Sequence, residues 1–293
     1  RIAQAVPTAS VILTNPTRIA DALNYVRNSW GNNLGDISAE LVANTRTKYK
    51  DREDLFGAKD FDHTAPPKPV HHYDFKSGYQ DLIGKAHAKL ISKNPKQVNI
   101  TQQGVDLTNN IGERSSKIEK DAYIDLPNGI ISKAAQSGVA GQLSIEVSAM
   151  VSTNRPWAEI FAFGTSNKGE DSSDGGRQSS YMILIPQNAQ TNVLRFSIND
   201  GHKERVINGK SMLKPNVMHR LVVTLTKTEM ALYLNGELVG TETLPSKFDA
   251  SAFINNNNWL GRSQYPDPLF DGTISNLKIY NSALSAEDIK QQP

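Results

Sequence analysis

The segment Leu232-Tyr-Leu-Asn235-Gly236-Glu-Leu-Val239 constrains the fold more tightly than any other local pattern in the chain. Asn-Gly accepts positive φ at both central positions of a type I′ turn, whose twist matches that of the strands it joins. Apolar residues on both sides make the segment a β-hairpin. Further runs that read as strands cover residues 72–75, 122–126, 143–151, 159–163, 181–185, 193–198, 219–226, 230–234, 238–243 and 273–280. Turn residues separate them, with no helical pattern between. About ten or more short strands so arranged predict an all-β antiparallel sandwich. In the last strand, alternation places Ile274, Asn276, Lys278 and Tyr280 on one face and Leu277 and Ile279 on the other.

The chain changes character near residue 65. Before it, Ile19, Leu23 and Val26 share one face of a helix predicted over 17–27, with Asn15-Pro16 as its start. A second helix is expected over 38–49, capped by Asp36 or Ser38, with Gly57 closing the region after Leu55-Phe56. The turn-rich stretch from Trp30 to Gly35 connects the two, and Trp30 is a candidate anchor for them. Ala65-Pro-Pro-Lys-Pro69 reads as an extended linker. The expected organisation is thus a helical segment over 1–64, a proline-rich linker over 65–69 and a sandwich over 70–293. Residues 285–290 read as a short final helix, Ser285 capping it and Asp288 bonding back.

Composition removes several function classes. The 293 residues carry 32 Lys+Arg against 30 Asp+Glu, a net charge of +2, which makes no electrostatic case for nucleic acid or an anionic membrane. There is no cysteine, so disulfides and Cys-ligated zinc are excluded. No apolar run reaches the ~18–20 residues that cross a bilayer, so membrane insertion by a helix is not expected. A chain that begins at Arg1 without an initiator Met or a signal peptide reads as a processed or trimmed product, and a larger parent protein is among the expected partners.

Motifs for chemistry are sparse. Of the six histidines only His71-His72 cluster, and neighbours on a strand point to opposite faces. No His-Glu-x-x-His, Gly-x-Ser-x-Gly or phosphate-binding glycine loop occurs. Glu170, Asp171 and Asp174 lie in a Gly-rich loop, yet without the spacing of a helical calcium loop. Arg262, Gln264, Tyr265 and Asp267 supply what a sugar site needs, a flat aromatic ring and planar polar groups. Pro266 and Pro268 stiffen that loop, although a structural clamp for the last strand is the reading favoured over a sugar site. Trp157 and Trp259 stand within strand-like blocks and are expected in the core.

Several blocks fall in an order that resembles laminin-G-like, concanavalin A-like jelly-roll modules of secreted bacterial proteins. They are Leu143-Ser-Ile-Glu-Val147, Trp157-Ala-Glu-Ile-Phe-Ala-Phe-Gly164, Tyr181-Met-Ile-Leu184, Val222-Val-Thr-Leu225, Ala231 to Gly240 and Trp259 to Tyr280. Tyr73-Asp-Phe75 is similar to the opening strand of such modules. The resemblance spans roughly residues 70–289 and does not include the N-terminal segment. It implies a mainly β jelly-roll sandwich preceded by a short α-helical segment, at a secreted or cell-surface location. It also implies a structural calcium ion near the paired terminal strands, for which Asp74 and Asp271 occupy the matching blocks.

The function so implied is a non-catalytic carbohydrate- or glycoconjugate-binding or adhesion module, its partner a glycan or glycoprotein. One alternative is a glycan-active hydrolase or lyase on the same sandwich. Against it, Glu146 has no second carboxylate at strand spacing. The other alternative is the receptor-binding domain of a larger secreted factor, with a protein as its ligand.

Overall fold

Asn235 and Gly236 both adopt positive φ, 52° and 86°, so the Asn-Gly turn closes its hairpin as the sequence requires. The computed structural model describes residues 15–28, 36–48, 50, 66–111, 121–139, 141–166, 168–174 and 179–291. Its strands are β1 (His71–Asp74), β2 (Lys89–Ser92), β3 (Asn99–Thr101), β4 (Gly104–Asp106), β5 (Ala122–Leu126), β6 (Leu143–Val151) and β7 (Phe161–Gly164). They continue as β8 (Ser180–Ile185), β9 (Arg195–Asp200), β10 (Glu204–Asn208), β11 (Met218–Leu225), β12 (Glu229–Leu234), β13 (Glu237–Thr243), β14 (Asn257–Leu260) and β15 (Gly272–Tyr280).

Two antiparallel sheets result. The first runs β13-β12-β11-β6-β15-β4-β3, with β1 also on β15, and the second runs β10-β9-β8-β7-β14-β5-β2. Alternate residues of each sheet meet in one core; Ile145, Val147 and Ala149 of β6 face Phe161, Phe163, Met182 and Leu184 of the second sheet. The sandwich expected from the strand pattern is therefore the fold. Strands β2, β3, β4, β10 and β14 lie outside the predicted set because each is short, and most are rich in polar residues.

One strand departs from simple alternation. The pairing of β15 with β6 shifts between Ile274 and Asn276, a bulge that moves Ile274 onto the face of Leu277 and Ile279 in the main core. Tyr280 packs on the opposite side with Val222, Tyr233 and Ile289. Ile274 and Tyr280 therefore do not share a face, contrary to the expectation from spacing alone. Gly104 of β4 lies against this bulge with φ 130°, and a Cβ there would sit 2.2 Å from the Ile274 carbonyl oxygen.

The chain divides into two compact units, Arg1–Thr64 and Ala65–Pro293. In the first, α1 (Pro16–Arg27) starts at Asn15, whose Oδ1 accepts from the amides of Thr17 and Arg18 at 2.9 and 3.3 Å. The Ser38 Oγ accepts from the Leu41 amide at 3.1 Å and begins α2 (Ala39–Lys48). Trp30, Leu55, Phe56, Gly57 and Ala65, to which the sequence assigns turn, helix-end and linker roles, lie outside the described residues.

Within the second unit, α3 (Ile130–Ser137) interrupts the strands, where no helix is expected from the sequence. It buries Ile130, Ile131, Ala134 and Ala135, the positions of a 3.6-residue period. The final helix α4 (Ala286–Gln291) has the expected cap. Asp288 N donates to Ser285 Oγ at 3.1 Å and Ser285 N to Asp288 Oδ2 at 2.9 Å. Arg220 ties this helix down by donating to the Ile289 carbonyl and to buried Glu146, both at 2.7 Å. No helix among the described residues is long and apolar enough to cross a membrane.

Asp81 organises the loop after β1. Its Oδ2 lies 2.7 Å from His71 Nδ1 and its Oδ1 accepts from the amides of His72 and Ile83, both at 3.2 Å. Burial alone would raise its pKa, but the His71 bond and the amides of Gly84, His72 and Ile83 outweigh that and hold it at about 2. A folded-state pKa below the unfolded value contributes stability that is full above about pH 4 and is lost as pH falls through about 2, up to about 2 kcal/mol. Asp81→Asn is expected to lower the melting temperature at neutral pH and to flatten the pH dependence of melting between about pH 4 and 2. Melting curves of both proteins across that range check this.

Candidate functional site

The outer side of the second sheet is unusually apolar where it meets two loops. In β8, Met182 and Leu184 point into the main core, so Tyr181, Ile183 and Ile185 point outward, where they cluster with Ala162. Trp157 and Tyr265 pack against this patch from the segments before β7 and after β14. Trp157, Tyr181, Ile183 and Tyr265 wall a cleft of about 420 Å³. Polar groups at its edges come from Gln190, Arg195, Glu204 and Asp267, while Glu159 lies at its base.

Trp157 has φ 67°, a left-handed conformation that a bulky residue rarely adopts and that costs of order 1–3 kcal/mol. Its amide donates to the Gln187 carbonyl at 3.1 Å, and the Arg195 guanidinium lies 5.5 Å from its ring centroid. The indole is half-buried, not enclosed. Pro156 before it breaks the strand, which places Trp157 in a loop and corrects the expectation of a core position. Trp259, by contrast, is fully buried as expected.

Two hydrogen-bonded chains run beside the cleft. In one, the Tyr181 hydroxyl donates to Glu204 Oε1 at 3.1 Å, and its ring meets that of Tyr265 edge-on at 5.8 Å. In the other, Ser263 Oγ lies 2.9 Å from both Glu159 Oε1 and Asp267 Oδ2 and accepts from the Tyr265 amide at 3.0 Å. A serine hydroxyl has a single proton, so one carboxyl of this chain must carry another. Burial, then the nearby Asp267 charge, pushes the Glu159 pKa well above the usual carboxylate range. Glu159 is accordingly the protonated member, donating to Ser263, which donates to Asp267.

Of the four loop residues singled out in the sequence, Tyr265 and Asp267 stand at the cleft, while Arg262 and Gln264 are withdrawn into the interior. The Arg262 guanidinium lies 3.9 Å from the Trp259 ring centroid and 4.7 Å from that of Tyr123. Its Nε donates to Ser173 Oγ, Nη1 to the Tyr123 hydroxyl and Nη2 to the Asp171 carbonyl, at 2.9, 2.7 and 2.9 Å. Gln264 is spent on Asn257, whose amide also holds the carbonyls of Gly169 and Ser172. These bonds lash the 169–173 loop to the sheet.

The acidic residues of that loop go separate ways. Glu170 accepts from Asn128 at 2.7 Å, and Asp174 pairs with Lys168 at 3.2 Å. The two carboxylates proposed for calcium are also apart. Asp74 is paired opposite Asn276, five positions along β15 from Asp271, roughly 15 Å at strand spacing. Asp271 is instead neutralised by Arg155, Nη2 to Oδ2 at 3.0 Å. Among the described residues no group of three or more His, Asp and Glu side chains could hold a metal ion. The pair therefore does not fit the ion as one donor set.

The residues at the cleft that the sequence reading passes over are Glu159, Gln190, Arg195 and Glu204. Pro156 is the one local signal that a loop, and so a site, begins there. The others come from separate strands and loops that meet only in space.

Comparison with known proteins bears on the fold. The model of the concanavalin A-like lectin/glucanases superfamily matches residues 119–290. Domain 4 of AbnA, an extracellular GH43 arabinanase from Geobacillus stearothermophilus solved with arabinotriose, superposes with a TM-score of 0.56. The two are 17% identical over 77% of this chain and 98% of that one. A structure described as HCR/D-Sa-GBL1/C gives 0.53 at 16% identity, over 77% of this chain and 51% of its own. No curated protein matches the sequence.

Replacing Arg262 by Ala removes the stacked cation and all three of its bonds, and is expected to destabilise the sandwich by roughly 3 kcal/mol, measured by denaturant unfolding. Arg262→Lys is expected to recover little, because an ammonium cannot span the same partners. Calcium added to chelator-treated protein is expected to leave the melting temperature unchanged, since an ion that binds the folded state must raise it.

Proposed function

The chain belongs to the concanavalin A-like lectin/glucanases superfamily, and on that premise we propose that it is a non-catalytic carbohydrate-binding module whose ligand seats between Trp157 and Tyr265. The carrying observation is the half-buried Trp157, held at φ 67° over a cleft that also has Tyr181 on its wall. Strain of that kind persists where the surroundings over-determine it, commonly at ligand sites. Aromatic faces stack on the apolar side of a sugar ring, and the edge groups of Gln190, Glu204 and Asp267 meet its hydroxyls. A cleft of about 420 Å³ accommodates one to two sugar rings. The arabinotriose bound to the arabinanase domain of similar fold is in keeping with this reading. A secreted or surface location, within a larger parent protein, is part of the proposal.

One observation favours a catalytic reading: Glu159, a protonated acid, stands one hydroxyl away from Asp267. Its side chain is nevertheless only 1% exposed and its proton is engaged by Ser263, so it is out of reach of a leaving group. Release of reducing ends from polysaccharides would favour the enzyme.

Calorimetric titration with glycans identified on an array tests the binding proposal. Trp157→Ala and Tyr265→Ala are each expected to weaken binding by about 10-fold or more through lost stacking, with both variants still melting cooperatively. Undiminished affinity in both would remove the cleft from the binding function.

A further inference from the structure

Resting on the reading of the cleft as a sugar site, we infer that it prefers glycans bearing a carboxylate, which Arg195 receives at the Trp157 end. Arg195 is only 8% exposed, yet it lines the cleft. Its Nε donates to Asn208 Oδ1 and its Nη2 to Gln190 Oε1, both at 3.1 Å. Those bonds fix the guanidinium plane and use two of its five N–H groups. Nη1 has no partner among the described residues and is not sealed from solvent. No carboxylate among the described residues forms an ion pair with Arg195. A buried cation without a counter-ion is costly, and an anionic ligand group relieves that cost. The planar oxygens of a carboxylate suit guanidinium N–H groups better than a lone hydroxyl does.

The acidic groups of the cleft stand at its other end. Along β8 and β9, Ile185 pairs with Arg195, Ile183 with Ser197 and Tyr181 with Asn199. Glu204 of β10 lies opposite Asn199, four positions from Arg195 and roughly 13 Å away at strand spacing. That exceeds the Debye length of ~8–10 Å at physiological ionic strength, so salt screens one end from the other. Burial chiefly raises the Tyr265 pKa, and the charges of Glu204 and Asp267 add to it, which places both acids at the Tyr265 end. The cleft is thus polarised, positive where Arg195 meets Trp157 and negative around Tyr265. An acidic glycan seats with its carboxylate toward Trp157 and its hydroxyls toward Glu204 and Asp267.

The test uses the full chain on an array that pairs neutral glycans with carboxylate-bearing counterparts, such as galactotriose with trigalacturonate. Calorimetry then measures the strongest acid, its neutral counterpart and its methyl ester, which keeps the shape of the acid and removes the charge. The acid is expected to bind at least about 10-fold more tightly than either neutral form. That margin is expected to shrink as salt rises. Arg195→Gln is expected to cut the acid-to-ester ratio by about 10-fold, and Arg195→Lys to recover only part of it. If the Gln variant does not fold, the Lys variant and the parent ratio still decide. An ester that binds as well as the acid, and loses affinity on Trp157→Ala, would overturn the preference while leaving the cleft as a sugar site. A Gln variant that keeps the parent ratio would equally overturn the assignment to Arg195. An array on which nothing binds would overturn the sugar reading itself, and the preference with it.

Discussion

The stacking of Arg262 on Trp259 is the contact on which the outer architecture of the second sheet depends. A guanidinium buried against two aromatic rings must place its N–H groups on partners. Here those partners belong to β5, through Tyr123, and to the 171–173 segment. One side chain thus binds two strands and a loop. The chain leaving Arg262 is fixed in direction, and Ser263, Tyr265 and Asp267 follow from it at the cleft. The prolines that stiffen this loop act on a segment already anchored at its base.

Much of the sandwich was legible because alternation and turn chemistry are local. The strand limits over 122–126 and 143–151 coincide with β5 and β6, where both faces are largely covered and apolar residues dominate. Legibility fell where tertiary pairing overrides local preference. β14 begins in a run of asparagines, and its Asn257 and Asn258 are buried because their amides hold loop carbonyls. The bulge in β15 left no pronounced mark in its own sequence. Its cause lies partly across the sheet, where Gly104 lets the backbone of β4 come against it.

The cleft was only half legible for a different reason. Arg262, Gln264, Tyr265 and Asp267 have the composition of a sugar site, but composition does not reveal which side chains face inward. The larger polar ones turned in, Arg262 donating to the 171–173 segment and Gln264 to the carbonyls of Ala162 and Asn257. Glu159 is the opposite case. It sits beside apolar neighbours in a block that reads as a core strand, and its raised pKa comes first from burial and then from the Asp267 charge, both set by the tertiary fold.

The tyrosine chain beside the cleft ends on Glu204, in a strand at the margin of its sheet. A marginal strand has a neighbour on one side only, so exchanges there disturb few packed atoms. Trp157 and Glu159, by contrast, precede the central strand β7 and are hemmed in. Such a division separates a permanent platform from an adjustable lip: descendants of this chain could drift toward new ligands by altering positions near Glu204 while the aromatic floor and its acid remain untouched.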